Sequence, residues 1–429
     1  MELWSFFSMQ EPNVRFVTIG TMLLGSSAAL IGCFSYLRKQ ALVGDAIAHS
    51  ILPGICLGFL LSGTKNPLAL IIGAVISGWI SILAIEFITK QSKIKADSAI
   101  GIVLSVFFAI GVMMLTSIQQ GGNASQAGLD KYLFGKAASM TMDDVYIFGG
   151  IAVLLLLVII ICYKGFKILS FNPDYASVLG LPTKFLSFLL ATSTVLAVAV
   201  GIQAVGVVLM AALLITPAAA ARFWTNSLKK MLILAAIMGA IAGWIGCLVS
   251  YVAPAMPTGP WIVISLTLMV GISIIASPTN GLLAKWKKSQ LNNYLILHEN
   301  VLKLFFQLGE QESSFFKWRG LISLKQKRDI KTRELKKGLS ILMQKKWIIK
   351  DHHSYRLTDE GLVQSKRIVR LHRLWELFLN KRLGLAPDHV HPDAEVIEHL
   401  ITPELEEILM KDLGDPAMDP HNQQIPYTK

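Results

Sequence analysis

Asp45 and His49 form an ionisable pair, four residues apart, inside a stretch otherwise long and apolar enough to cross a bilayer. Placing such groups in hydrocarbon is costly, which marks them as functional. On an α-helix this spacing puts both side chains on one face, where a carboxylate and an imidazole can close on one ion. That donor pair suits Mn2+, Zn2+ or Fe2+ and would serve a sugar or a peptide poorly. Pro53, one turn further on, removes a backbone hydrogen bond and can leave a carbonyl to face a pore. The competing arrangement puts Asp45 at the wet membrane edge as a helix cap, with His49 hydrogen-bonded to a neighbouring span.

A second set of donors lies far along the chain. His372 and Glu376 are again i, i+4, while His391, Glu395, Glu398 and His399 follow at steps of four, three and one. Carboxylates and imidazoles lined up this way offer the oxygen and nitrogen donors that a borderline divalent ion takes. A solvated, Glu-rich helix face is the plain alternative.

Two kinds of element position these groups. Of 429 residues, 53% are hydrophobic and 16% charged, which places most of the chain in a bilayer. Eight of the nine histidines follow Lys285, where the composition becomes charged and ordinary. Runs of about 20 apolar residues, the length a helix needs to span a bilayer, occur at 16–36, 42–62, 67–89, 98–117, 143–163, 185–201, 203–221, 231–252 and 259–278. About nine spans result, with only Gly201 to Gln203 between the sixth and seventh, so a tight hairpin or a re-entrant piece fits there. Arg38, Lys39, Lys90, Lys93, Lys95, Lys164, Lys167, Lys184, Arg222, Lys229 and Lys230 fall in alternate connections, and the others carry little beyond Arg15, Lys65, Lys131 and Lys136. The positive-inside rule then makes the first set cytoplasmic, with the N-terminus outside and the tail inside. The N-terminal stretch has no basic region and no cleavage site, so the first span is expected to be retained. Cys33, Cys56, Cys162 and Cys247 lie in or beside apolar runs with no CxxC spacing and read as packing residues. Glu86, one turn from Lys90, reads as a membrane-face ion pair, and Thr216 with Pro217 as a kink beside small residues.

From about Asn292 the pattern is globular. A helix near 294–308 precedes KTRELKKGLSILMQKKWI, with Leu335, Leu339 and Leu342 on one face. WIIK and YRLTDEG then read as a hairpin wing followed by a capped helix, the winged helix-turn-helix order. The fold class is therefore mostly α: a polytopic bundle over 1–284, a winged-helix domain over 285–362, and a helical domain over 363–429 that carries the second donor set, which the resemblance described below makes a metal-binding and dimerisation domain. Lys331, Arg333, Lys336 and Lys337 can meet DNA phosphates. Anionic lipid is the rival partner for the same charges.

LVGDAIAHSILPGI, YLFGKAASMT and VGVVLMAALLITPAAAARFW, in that order, resemble the permease subunit of the zinc, manganese and iron class of ABC transporters, and the resemblance covers about 15–280. It implies that Asp45 and His49 lie on the metal path. It also implies that FNPDYASVLGLP is a coupling helix docking on a separate ATPase, through Asn172, Pro173, Asp174, Tyr175, Ala176 and Gly180. No GxxxxGK[ST] loop occurs, so nucleotide binding and hydrolysis are expected on that partner rather than on this chain.

The tail resembles the diphtheria-toxin-repressor family of metal-dependent regulators, through the winged-helix region, the histidine and glutamate spacings and LGDPAMDPHNQQIP. The resemblance implies one metal site of His372, Glu376 and His391 and a second of Glu395, Glu398 and His399, with Glu299 as a first-helix ligand. Glu395 stands where iron-sensing members have Cys, a harder donor that favours Mn2+.

Together these readings describe a bacterial inner-membrane importer subunit for a divalent metal, Mn2+ first with Zn2+ and Fe2+ as rivals. An extracytoplasmic binding protein would supply the ion, and the chain would dimerise through permease or tail. Two alternatives stand beside it: a membrane-anchored transcription regulator whose permease no longer transports, and a tail that inhibits transport directly without touching DNA.

Overall fold

The computed structural model describes residues 2–64, 66–120, 135, 140–253, 256–327, 330–383, 403–414 and 416–427. The chain divides into two compact units, Met1–Ala284 and Lys285–Lys429.

In the first unit a short helix α1 (Glu2–Ser8) precedes the spans α2 (Pro12–Leu37), α3 (Ala41–Ser50) with α4 (Leu52–Ser62), α5 (Pro67–Gln91), α6 (Ala96–Gln120) and α7 (Met142–Phe171). After α8 (Pro173–Val178) come α9 (Thr183–Val205), α10 (Val207–Trp224), α11 (Leu228–Val252) and α12 (Thr258–Ala276). Among the described residues eight helical stretches are long and apolar enough to cross a membrane, counting α3 and α4 as one, and α10 is a shorter apolar helix. All nine expected runs are thus helical. Helices are the form such runs must take, because hydrocarbon offers no partner for an open backbone group.

One boundary differs from expectation. The sixth helix runs through Gly201 and Gln203 and stops at Gly206, whose φ of 84° only glycine adopts without strain. A single glycine pivot, not a three-residue hairpin, separates α9 from α10. The α1 segment was not legible in the sequence pattern; its Phe6 is buried against Trp244 and Tyr251 of α11.

Packing between spans relies on small residues, since lipid removes the hydrophobic drive and leaves close backbone approach as the main gain. On α2, Gly25, Ala28, Ala29 and Gly32 are buried where that helix meets α10 and α11. A Cβ added at Gly54 of α4 would sit 2.1 Å from the carbonyl oxygen of Gly73 on α5, so these two helices meet backbone to backbone. Free cysteines Cys33, Cys56 and Cys247 are buried in these seams, and Cys162 is half-buried.

In the second unit, α13 (Leu282–Gln311) begins five residues beyond Ser277 and crosses the unit boundary. It is followed by β1 (Arg319–Gly320), α14 (Leu321–Lys327), α15 (Thr332–Gln344), β2 (Ile348–Asp351), β3 (Ser354–Leu357), α16 (Asp359–Leu383) and α17 (Pro403–Leu413). The antiparallel sheet has the order β1-β3-β2, with Asp351 paired to Ser354 across a two-residue turn in which His352 has φ 46°. Val301, Leu304 and Phe305 of α13 share a core with Leu335, Leu339 and Leu342 of α15 and with Tyr355 and Leu357 of the wing. The expected cap is present: the Thr358 hydroxyl accepts from the Gly361 N–H at 3.1 Å and so opens α16.

Candidate functional site

Asp45 is the fifth residue of α3 and so stands mid-helix; the cap position belongs to Gln40. His49 follows one turn later, its Nε2 at 3.6 Å from the Asp45 carboxylate, with side chains 20% and 37% exposed respectively. At that distance the two do not hydrogen-bond. The His49 Nδ1 is buried with no hydrogen-bond partner, and its ring meets Phe108 of α6 edge-on at 4.9 Å. Neither the cap nor the cross-span hydrogen bond of the competing arrangement is therefore present among the described residues.

The backbone beside the pair is broken as Pro53 requires. Helix α3 ends at Ser50 and α4 starts at Leu52, and Pro53 has no N–H to give the His49 carbonyl. The adjacent Ser50 carbonyl is occupied from outside, accepting from the Ser77 hydroxyl of α5 at 2.6 Å. On the other flank Gly44 lies against Leu214 of α10, which itself carries Pro217 inside its helix. The expected membrane-face pair also forms, with Lys90 Nζ donating to Glu86 at 2.5 Å.

Of the second permease motif, YLFGKAASMT, only Gly135, Met140 and Thr141 are among the described residues. Thr141 opens α7 in a capping box with Asp144.

The segment Phe171 to Pro182 folds into a capped turn of helix. Asn172 accepts from the Tyr175 N–H at 3.0 Å, Pro173 occupies the first turn, and Asp174 favours the positive end of the dipole. At the far end Gly180, with φ 74°, donates to the Ser177 carbonyl while Leu181 donates to that of Ala176, the paired bonds of a Schellman stop. Ala176 is buried, and Tyr175, Val178 and Leu179 point outward, apolar and exposed.

In the tail, His372 and Glu376 stand one turn apart on α16, with Nε2 to carboxylate at 3.1 Å and side chains 5% and 2% exposed. A buried carboxylate needs strong compensation, and an imidazole or a metal ion supplies it. His391, Glu395, Glu398 and His399 lie outside the described residues. Glu299 is half-buried on α13, and it does not join His372 and Glu376 in a three-donor cluster; none of that size occurs among the described residues. The described donors have the chemistry for a divalent cation, though they are only part of the expected set.

Three charged anchors hold this region and were not picked out as functional from the sequence. Arg373, next to His372, is buried and makes a forked contact to Glu310 at 3.0 and 2.7 Å, an ion pair with Asp419 at 3.6 Å, and a hydrogen bond to Gln423 at 2.7 Å. The carboxylate of Asp419 in turn accepts from the N–H groups of His421 and Gln423, which shapes the DPHNQQ turn. Arg370 and Arg367 both reach the buried Glu406 and fasten α17 to α16. The signal was the motif LGDPAMDPHNQQIP, which carries Asp419 and Gln423 and whose partner lies some 50 residues away.

Lys331, Arg333, Lys336 and Lys337 are all exposed at the start of α15, which buries Leu335 and Leu339 beneath them. In a winged helix that is the helix placed to enter a DNA groove.

Fold and donors define the class, a multi-span membrane permease with a metal-dependent regulator module at its end. The chain belongs to the ABC 3 transport family, whose profile matches residues 10–277. Residues 358–427 match the iron dependent repressor metal binding and dimerisation domain. It is 40% identical over 397 residues to the manganese transport system membrane protein MntC of Bacillus subtilis (strain 168), covering 91% of this chain and 90% of that one. Identity is also 40% over 293 residues to the zinc transport system membrane protein TroC of Treponema pallidum (strain Nichols), covering 68% of this chain and 97% of that one. Among solved structures, PsaBC from Streptococcus pneumoniae in complex with Fab matches 67% of this chain and 99% of its own, at 32% identity and a TM-score of 0.60.

Proposed function

We propose that the first unit carries a divalent transition metal across the membrane into the cytoplasm, Mn2+ before Zn2+ or Fe2+, and that the tail binds the same class of ion. The observation that carries this is the Asp45–His49 pair, two donors 3.6 Å apart that share a helix face without bonding each other. Metal–ligand bonds of about 2.1 Å at a tetrahedral angle set neighbouring donors about 3.4 Å apart, so the pair needs little movement to hold one ion. Two donors bind weakly enough to release a cargo, where four would trap it. The relatives named for manganese and zinc transport support this substrate class.

Hydrolysis of ATP belongs to a separate subunit, which docks on the exposed Tyr175, Val178 and Leu179 around α8, and an extracytoplasmic protein delivers the ion. With nine spans and basic connections on one side, the N-terminus faces outward and the tail inward. The tail comprises a winged helix to about residue 362 and a metal-binding, dimerising part beyond it. His372, Glu376 and His391 hold one ion and Glu395, Glu398 and His399 a second, with Glu299 nearby. Lys331, Arg333, Lys336 and Lys337 meet DNA phosphates.

The decisive experiment is uptake of radioactive manganese and zinc by cells carrying His49→Ala. Uptake should fall to background while the protein still inserts and reaches wild-type levels in the membrane. Wild-type accumulation in that variant would refute the assignment of the pair.

A further inference from the structure

Nine of the first ten residues of α13 are exposed, and only Ala284 is half-buried. Leu282 (57% exposed), Leu283 (50%) and Trp286 (61%) are open, and so are Lys285, Lys287 and Lys288. Apart from the half-buried Ala284, the described side chains are exposed up to Asn293, and from Tyr294 onward the helix becomes partly buried as it enters the winged-helix core. An exposed helix end gains no packing and frays readily unless something covers it.

The residues are not scattered at random around the axis. At about 100° per residue, Leu282, Trp286 and Leu283 fall at roughly 0°, 40° and 100°, a largely apolar arc that also takes Gln290 at roughly 80°, while Leu291 falls at roughly 180°. Lys285 and Lys287 fall at roughly 300° and 140°, flanking that arc on either side, with Lys288 behind it at roughly 240°. No acidic residue occurs between Leu282 and His298, and none of the three lysines makes an ion pair among the described residues. The chain leaves its last span at Ala276 and reaches Leu282 after only Ser277 to Gly281. That short turn is itself fixed, since the hydroxyls of Ser277 and Thr279 both donate to the Phe223 carbonyl at the end of α10.

From this we infer that residues 282–291 form an interfacial helix that docks on anionic lipid headgroups. Trp286 and the two leucines enter the headgroup boundary, and Lys285 and Lys287 extend sideways to lipid phosphates, the arrangement of amphipathic helices lying in the membrane plane. The occupant is lipid rather than a protein because the segment starts five residues from a span and carries three uncompensated positive charges on the side the positive-inside rule makes cytoplasmic. Nothing in this inference depends on the metal carried.

The test is amide hydrogen exchange of the full-length protein in nanodiscs of phosphatidylcholine alone or with about one third phosphatidylglycerol. Exchange over 282–291 should slow on the order of tenfold in the anionic discs, since each lysine near such a surface multiplies partitioning several-fold. Exchange over 301–308, in the winged-helix core, should not change. The variant Lys285→Gln/Lys287→Gln/Lys288→Gln should lose the lipid dependence, and Trp286→Ala should raise exchange in both discs. Equal wild-type exchange in the two lipids would overturn the inference. So would a triple variant that kept the full lipid effect, or protection that appeared only with an added ATPase subunit.

Discussion

Arg373 ties together parts of the tail that are far apart in the chain. Its buried guanidinium gathers the buried carboxylate of Asp419 together with the exposed Glu310, Gln423 and Gln424 carbonyl, and it directly follows His372. Removing one side of a buried ion pair strands the other, at a cost of about 3–5 kcal/mol. Arg373→Ala should therefore lower the stability of the tail by about that amount and loosen the segment 416–427, read as a lower denaturant midpoint for the tail transition and faster amide exchange there. Arg373→Lys should recover only part, because an ammonium cannot make the forked contact. Asp45 and His49 present the opposite case, a carboxylate and an imidazole 3.6 Å apart that do not hydrogen-bond each other.

Elements explain how those residues are held. The α4–α5 seam next to the donor pair depends on glycine at both contact points, and Gly54→Val would drive a side chain into the Gly73 carbonyl. Overpacking of that kind costs about 1–3 kcal/mol, so the variant should show a lower detergent-solubilised melting temperature and weaker uptake together. Helix α8 makes a different prediction. Its apolar residues are outward, so Val178→Asp should leave stability and membrane insertion at wild-type values while abolishing substrate-stimulated ATP hydrolysis in reconstituted complexes. Wild-type stimulation would show that the ATPase docks elsewhere.

At the scale of the whole molecule, a transporter and a regulator share one chain, and the match to the Bacillus subtilis relative extends over both. Two consequences can be separated. If the tail reads DNA, metal-loaded full-length protein in detergent should bind an operator with an affinity that falls steeply with salt, by about 0.9 log units per log unit of salt for each phosphate neutralised. Replacing Lys331, Arg333, Lys336 and Lys337 by Ala should flatten that slope by about three to four units. If the tail instead adjusts transport, Glu376→Gln should change how uptake responds to cytoplasmic manganese without changing uptake at low metal. Full retention of both responses in Glu376→Gln would remove that donor from the regulator site.

Much of this was fixed by local chemistry. Apolar runs near the bilayer length must become helices, so the spans and the boundary near Lys285 follow from composition. The i, i+4 pairs Asp45–His49 and His372–Glu376 are legible because a helix alone brings such residues together. Two-residue turns, the Thr358 cap and the Asn172 cap are equally local. Only the tertiary structure shows that, among the described residues, His49 hydrogen-bonds neither Asp45 nor another span, that Ser77 occupies the carbonyl beside it, and that Gly206 rather than Gly201 to Gln203 is the pivot between α9 and α10. Arg373 belongs with these, since its partners lie 63 residues before it and about 50 after, a separation at which spacing carries no signal. Sequence determines what a helix presents on each face; which face meets a partner is decided by chain segments that local pattern cannot relate.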